Sequence, residues 1–232
     1  MLQLDHFALF SHNLYRATFN VSQETGLGNY DGGFFPNYGI GIKVVPLGPD
    51  LFLEIESLIE YSAIKRLVES DEITLYTKAL AHPEVFYGWC FRTDTREELD
   101  ELARVAGFTV DEVALNEEKC QQMMTGEKVV VVAAPRARDA WPLGMPNVYF
   151  WPDMSKHDGR FPATAGTGRV TPAGVAWIEV GGSAEDFEAW FGGYTKASDH
   201  PIRFNGKSHG LYAIAVKTEA GEVVIRRPSL NE

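Results

Sequence analysis

"HFALFSHNLYRATFNVSQETG", residues 6–26, reads as a short apolar strand, a polar break at Ser11–Asn13, and then an amphipathic helix. The same layout returns in "GWCFRTDTREELDELARVAGF" at 88–108 and in "AWIEVGGSAEDFEAWFGG" at 176–193. Phe7, Trp89 and Trp177 each precede a helix N-cap (Asn13, Thr95 and Ser183) by six residues. Such self-similarity marks one supersecondary unit used several times. Thr95 with Glu98, and Ser183 with Asp186, fit the capping box, in which a hydroxyl and a carboxylate satisfy backbone N–H groups reciprocally. Leu99, Leu102, Ala103 and Ala106 form an apolar stripe at helical spacing, as do Phe187, Trp190 and Phe191.

Strand patterns follow each helix. The first unit continues with 29–35, 40–47 and 51–57, the second with 109–115, 128–134 and 147–152, and the third with 202–205, 211–218 and 222–228. These patterns predict an α+β protein of repeated βαβββ units, with mainly antiparallel curved sheets and helices outside. Two units, 1–58 and 85–152, are joined by a helical connector at 58–82 and make one domain over 1–155. Residues 156–232 form a third, partial β-α-β unit packed on it, reached through a loop at 157–174. A unit whose helix covers one sheet face leaves the other open. Two units side by side then enclose a trough, the place for a ligand. An odd third unit implies a partner for its open face, hence a homodimer.

The chain of 232 residues carries a net charge of -11. That balance excludes a nucleic-acid partner, which demands a basic surface. No apolar run reaches the roughly 20 residues of a membrane span, and no basic-then-apolar leader opens the chain. The expectation is a cytoplasmic protein handling a small molecule. Cys90 and Cys120 fit no metal spacing and are expected as reduced thiols.

The repeat, the opening "LDHFALF", the stretch "PLGPDLFLEIES" (46–57) and "GWCFRTD" (88–94) together resemble the vicinal oxygen chelate superfamily, and more narrowly its glyoxalase-like branch. The superfamily includes lyases, isomerases, ring-cleaving dioxygenases and proteins that only sequester a drug, so fold does not settle activity. The resemblance implies a divalent metal held by residues on the first and last strands of each unit. His6 and Glu54 stand at those positions in unit one. The sister positions hold Gly88, Ala176 and the run Tyr149–Trp151, so no second ligand pair appears, and His157, Glu56 or another subunit is left to complete the set. The stretch at 32–44, "GGFFPNYGIGIKV", also lacks the histidine turn typical of the branch.

Strand alternation tests the placement. It puts Leu4, His6, Ala8 and Phe10 on one face of the first strand and Phe52, Glu54 and Glu56 on one face of the fourth. With Phe7 and the aliphatic residues under the helix, His6, Glu54 and Glu56 face the trough. Imidazole and carboxylate suit Zn, Fe, Mn or Ni. Lys43 is placed on the same face, where a Lys43–Glu54 pair would neutralise the carboxylate without metal. Arg92 is expected either to hold an anionic group of the substrate or to pair with Glu56. Tyr149, Trp151 and Phe52 either line the pocket or belong to the core, and His157 reads as a polar-loop residue. Glu179 falls, by parity, under a helix, with no partner in view. The function expected is a metal-assisted lyase or isomerase, ahead of a dioxygenase, acting on a small oxygen-bearing molecule. Glu54 and Glu56 would transfer protons. The alternative is a metal-free protein that sequesters a small molecule.

Overall fold

In the computed structural model, residues 2–35, 38–63, 73–114, 130–160 and 168–232 are described. Cys120, residues 64–72 of the connector, the first two residues of the pattern at 128–134 and residues 161–167 of the loop at 157–174 lie outside them. Unit one comprises β1 (Gln3–Ser11), α1 (Leu14–Thr25), β2 (Tyr30–Phe35), β3 (Ile40–Gly48) and β4 (Leu51–Leu58). Asn13 caps α1 by accepting the Arg16 N–H at 3.0 Å. Gly26, at φ 76°, ends the helix in the left-handed region that glycine adopts without penalty. The connector carries a 3-10 turn at Tyr61–Ala63 and α2 (Ile73–Leu80). Unit two repeats the first with β5 (Glu84–Thr93), α3 (Arg96–Ala106), β6 (Asp111–Ala114), β7 (Val130–Ala134), the short α4 (Ala137–Ala140) and β8 (Asn147–Phe150).

The two units share one eight-stranded sheet, ordered β2-β3-β4-β1-β5-β8-β7-β6. Within each, the first strand runs parallel to the last (β1 with β4, β5 with β8), and β1 meets β5 antiparallel at the centre. Four first and last strands therefore lie side by side, and their inward side chains converge. Ala8, Phe10, Ile42, Val44, Phe52 and Tyr87 pack on this inner side, while Phe7, Leu9, Leu53, Ile55, Trp89 and Phe91 pack under α1 and α3.

The third unit has all its elements: β9 (Pro172–Val180), α5 (Ala184–Trp190), β10 (Ile202–Phe204), β11 (Leu211–Thr218) and β12 (Gly221–Arg226). Ser183 and Asp186 form the reciprocal capping box, at 3.2 and 3.0 Å. Its wiring differs, however. The order is β10-β9-β11-β12, with the first strand parallel to the second rather than to the last. Its inner face joins the core beneath α1 and α3: Ile178, Phe191 and Ile214 are fully buried in one cluster with Phe7, Leu53 and Phe91. Re-exposing each such side chain would cost about 1.5–3 kcal/mol. That face is thus covered within the chain itself, without a second copy.

Trp177 does not lie under a helix as its position in the repeat implied. It packs with Ala213 and Ala215 on the outer face of this sheet, under the Arg203 guanidinium at 4.0 Å. The break before the helix explains this: β9 ends at Val180, three residues before Ser183, whereas β1 and β5 end two residues before their caps, so the residue six before the cap changes face. Glu179 shares the outer face and is bonded by Arg226 at 2.8 Å and Asn205 at 3.0 Å.

Gly88, the sister of His6, is glycine for a steric reason. A Cβ there would lie 2.1–2.4 Å from three ring atoms of Trp141, which is held by its Nε1 donating to Asn147 Oδ1 at 3.0 Å. Gly88→Ala is expected to displace the indole and destabilise the chain by about 1–3 kcal/mol, read as a lower urea midpoint with an unchanged slope.

Candidate active site

Two residues of β1, Asp5 and His6, oppose one residue of β5, Cys90. Leu4 pairs with Phe91 and Phe7 with Trp89, so one residue of β1 is extra. This β-bulge breaks the alternation. Leu4 and Phe7 both enter the core under the helices, and Leu4 is not on the face of His6 as strict alternation predicted. Between them Asp5, His6 and Cys90 are all buried, and one donor atom from each lies within 4.8 Å of the other two. They form a group of metal-binding residue types, although their present contacts are hydrogen bonds.

Asp5 is wholly buried and holds the cluster together. Its Oδ2 accepts from His6 Nδ1 at 2.7 Å and from Trp151 Nε1 at 3.3 Å. Its Oδ1 accepts from His157 Nε2 at 3.0 Å and lies 3.6 Å from Arg92 Nη1. Burial alone would raise its pKa, but the charge and hydrogen bond of His157, then those of His6, outweigh it and hold the carboxyl below its usual range. Asp5 is therefore an anion. In the neutral form of the His6 ring, the nitrogen facing this anion carries the proton and Nε2 the lone pair. The imidazole stacks on Phe52, centroids 4.8 Å apart and planes 13° from parallel, so its orientation is set from two sides. Cys90 Sγ donates to the His6 carbonyl at 3.3 Å, and burial pushes its thiol pKa up, as expected of an inert buried cysteine.

On the open side of His6 is a cavity of about 130 Å³. Its floor is Phe52, Glu54, Glu56, Tyr87 and Tyr149, from β4, β5 and β8. Trp141, Trp151, Phe35, Tyr38 and Tyr76 also line it, and Arg136 and Arg138 come from the segment between β7 and β8. Burial, and then Glu56, hold the Tyr87 phenol protonated well past its usual pKa. Tyr149 is raised likewise by burial, then by Cys90.

His6, Phe52, Glu54 and Glu56, placed on one face by alternation, line one cavity, and Tyr149 and Trp151, left open between pocket and core, line it too. Three expectations need correcting. Lys43 is not in the trough: it pairs with Ile55, on the helix side, and its ammonium lies 5.7 Å from the Tyr15 ring of α1. Both faces of β3 are apolar, so alternation alone could not choose between them. Arg92 does not line the cavity or pair with Glu56. Its guanidinium is spent on Leu4 O, Asp50 O and Gln3 Oε1, at 2.8–2.9 Å, beside Asp5. His157 is not a surface residue or an available ligand. It is fully buried, its Nδ1 accepts the Gly159 N–H at 3.1 Å, and its Nε2 is bonded to Asp5. Asp5, Tyr87, Trp141 and the two arginines were missed. The signal for Asp5 was present, since a carboxylate inside an apolar strand must have buried partners.

Fold and site together define a glyoxalase-like protein of vicinal oxygen chelate architecture. A model of the glyoxalase-like domain matches residues 4–196, and the chain belongs to that family. No curated protein matches it in sequence. Among solved structures, a hypothetical protein from Staphylococcus aureus is similar over 99% of this chain and 86% of its own, with a TM-score of 0.58 and 13% identity. That likeness establishes shared fold. Methylmalonyl-CoA epimerase from Mycobacterium tuberculosis matches with a TM-score of 0.38 and 10% identity, over 63% of this chain and 84% of its own. An epimerase from Streptomyces coelicolor, in complex with 2-nitronate-propionyl-CoA, gives 0.42 and 12%, over 65% and 98%. Among the described residues, no helix is long and apolar enough to cross a membrane.

The Asp5 anion makes stability depend on acid. Its folded pKa is depressed, so its contribution is complete above the unfolded value of 3.8 and is lost as pH falls below that, toward the folded pKa. Below about pH 4, wild type should lose stability more steeply than Asp5→Asn, by up to about 1.4 kcal/mol per pH unit. Denaturant midpoints of both proteins across pH 3–6 provide the check, and parallel pH profiles would contradict the assignment.

Proposed function

We propose that the trough holds a divalent cation between His6 Nε2 and Glu54 and that the protein is a lyase or isomerase acting on a small oxygen-bearing molecule. The observation that carries this reading is the 2.7 Å Asp5–His6 bond. A carboxylate behind an imidazole fixes its tautomer and orientation and raises its basicity, which is the usual support of a metal-ligating histidine. Glu54 lines the same cavity from the neighbouring strand, where it pairs with Ala8 while His6 pairs with Phe52. This donor set suits zinc, iron, manganese or nickel. Asp5 and Cys90 do not fit as ligands equally well, because both Asp5 oxygens already accept hydrogen bonds and the Cys90 thiol is held neutral by burial.

A bound cation would supply polarisation of a substrate oxygen. The chain's own residues do the rest. Asp5 keeps Nδ1 of His6 protonated and aims Nε2 at the cavity. Glu56, two residues beyond Glu54 on the same face, is the base that takes a proton from the carbon beside the polarised oxygen. Tyr87, hydrogen-bonded to Glu56 and held protonated, keeps that carboxylate in place and ready to return the proton. Phe52, Tyr149 and Trp151 exclude water and position a flat substrate.

A second reading, metal-free sequestration of a flat compound, is favoured by the aromatic lining and by the missing ligands at Gly88 and Tyr149. Elemental analysis of the protein after growth in metal-replete medium separates the two. Stoichiometric metal in wild type, falling in His6→Ala and in Glu54→Gln, is expected. Metal far below stoichiometric in wild type, or retained by both variants, would favour sequestration.

A further inference from the structure

Arg92 had been the one candidate to receive an anionic group, and the structure removes it from the cavity. Two other guanidiniums take that place. Arg136 and Arg138 flank the start of α4, just past β7, and both line the cavity that contains His6, Glu54 and Glu56. They are the only Lys or Arg residues among its described lining, and the other charged residues there, Glu54, Glu56 and Asp158, are acidic. The lining thus sets two guanidiniums against three carboxylates, and Arg138 also lies 4.0 Å from the exposed Asp139 beside it. The rings of Tyr149 and Trp151 line the same cavity.

We infer that the ligand of this site is a flat, carboxylate-bearing molecule whose carboxylate is received by Arg136 and Arg138. This names the substrate class for the trough proposed above as the seat of function, and does not require the cation. The chemistry is direct. A guanidinium presents a planar fork of N–H donors that matches a carboxylate with two parallel hydrogen bonds, which an ammonium cannot do. Aromatic walls accept a planar ring by offset or edge contacts. Glu54 and Glu56 repel an anion, so a carboxylate is stable only at the end of the cavity where the arginines lie. The ring and its substituents are thereby left over His6 and the base. Arg136 and Arg138 act as specificity-determining residues, while proton transfer stays with Glu56.

The test uses the full-length protein after chelator treatment and two probes of nearly the same shape, benzoate and benzamide. The fluorescence of Trp141 and Trp151, both in the cavity wall, reports binding. Wild type should bind benzoate about 10-fold or more tightly than benzamide, as expected for loss of a charge-assisted pair. The doubly substituted R136Q/R138Q protein should lose that preference and keep its benzamide affinity. R136K/R138K, which keeps the charge but not the fork, should retain only part of it. Thermal melts establish that the variants are folded, and a misfolded glutamine pair leaves the lysine pair to decide. Equal affinities in wild type, no saturable binding of either probe, or an undiminished benzoate preference in the folded glutamine or lysine pair would overturn the inference. Metal content keeps the two proposals apart. A metal-replete protein indifferent to the probes' charge defeats only the arginine assignment, and a metal-poor protein that prefers benzoate defeats only the cation.

Discussion

A carboxylate with no exposed surface sits at the centre of this protein, and the site is arranged around keeping it ionised. An isolated anion in the interior would be far too costly to bury. Asp5 is tolerable because three donors converge on it, His6 beside it, Trp151 after β8 and His157 from the segment that follows, with the Arg92 guanidinium of β5 3.6 Å away. The two imidazoles and the indole are in turn held by Asp5. The buried charge thus ties both units to the strap at 154–160. Truncating one member of such a cluster is far more damaging than its net contribution suggests, because it leaves the others desolvated and unpaired.

The bulge that creates the cluster is a small departure with wide effects. Had β1 alternated strictly, Asp5 would have pointed into the apolar core with Phe7. One extra residue against Cys90 lets the acid and the imidazole reach each other. β5 compensates near Tyr87, where Ala8 pairs with Gly88 but Leu9 pairs with Phe86. Tyr87 and Gly88 consequently both serve the trough: one gives a phenol beside Glu56, the other gives room for Trp141. The two units are pseudo-equivalent in backbone and unlike in content. Where unit one places an imidazole, unit two places an indole against a bare backbone.

The repeat was legible because it rests on local physics, namely caps, apolar stripes and strands bounded by turn residues. Those signals located the helices after Asn13, Thr95 and Ser183 and most of the strands. The cavity residues of β4 were legible as well, because β3 and β4 pair without a shift along Ile40–Pro46 and alternation holds there. What failed was everything that depends on a shift of one residue or on long-range wiring. Leu4 was misplaced by a bulge and Trp177 by a strand-to-helix break one residue longer than in the other units, neither of which an alternation pattern reveals. Lys43 was misplaced because two apolar faces give alternation nothing to choose between. His157 reads as surface in "SKHDGR" because its partner, Asp5, lies 152 residues away. The third unit's different strand order is likewise invisible to a pattern that names elements and not their neighbours.

The asymmetry between the units also sets what chemistry the trough can support. A symmetric pair of units would offer two imidazoles and two carboxylates and would enclose a cation on all sides. Here the carboxylates, Glu54 and Glu56 of β4 and Asp158 of the segment packed on β4, lie apart from unit two, which contributes Tyr149, Trp141 and the arginines. The field across the cavity is therefore polarised, negative over β4 and positive toward α4. A ligand with a carboxylate at one end and an acidic C–H or hydroxyl at the other would lie along that field with its reactive end toward Glu56. Orientation in this site thus follows from the division of charge between the units, with the buried acid behind His6 keeping the reactive end in register.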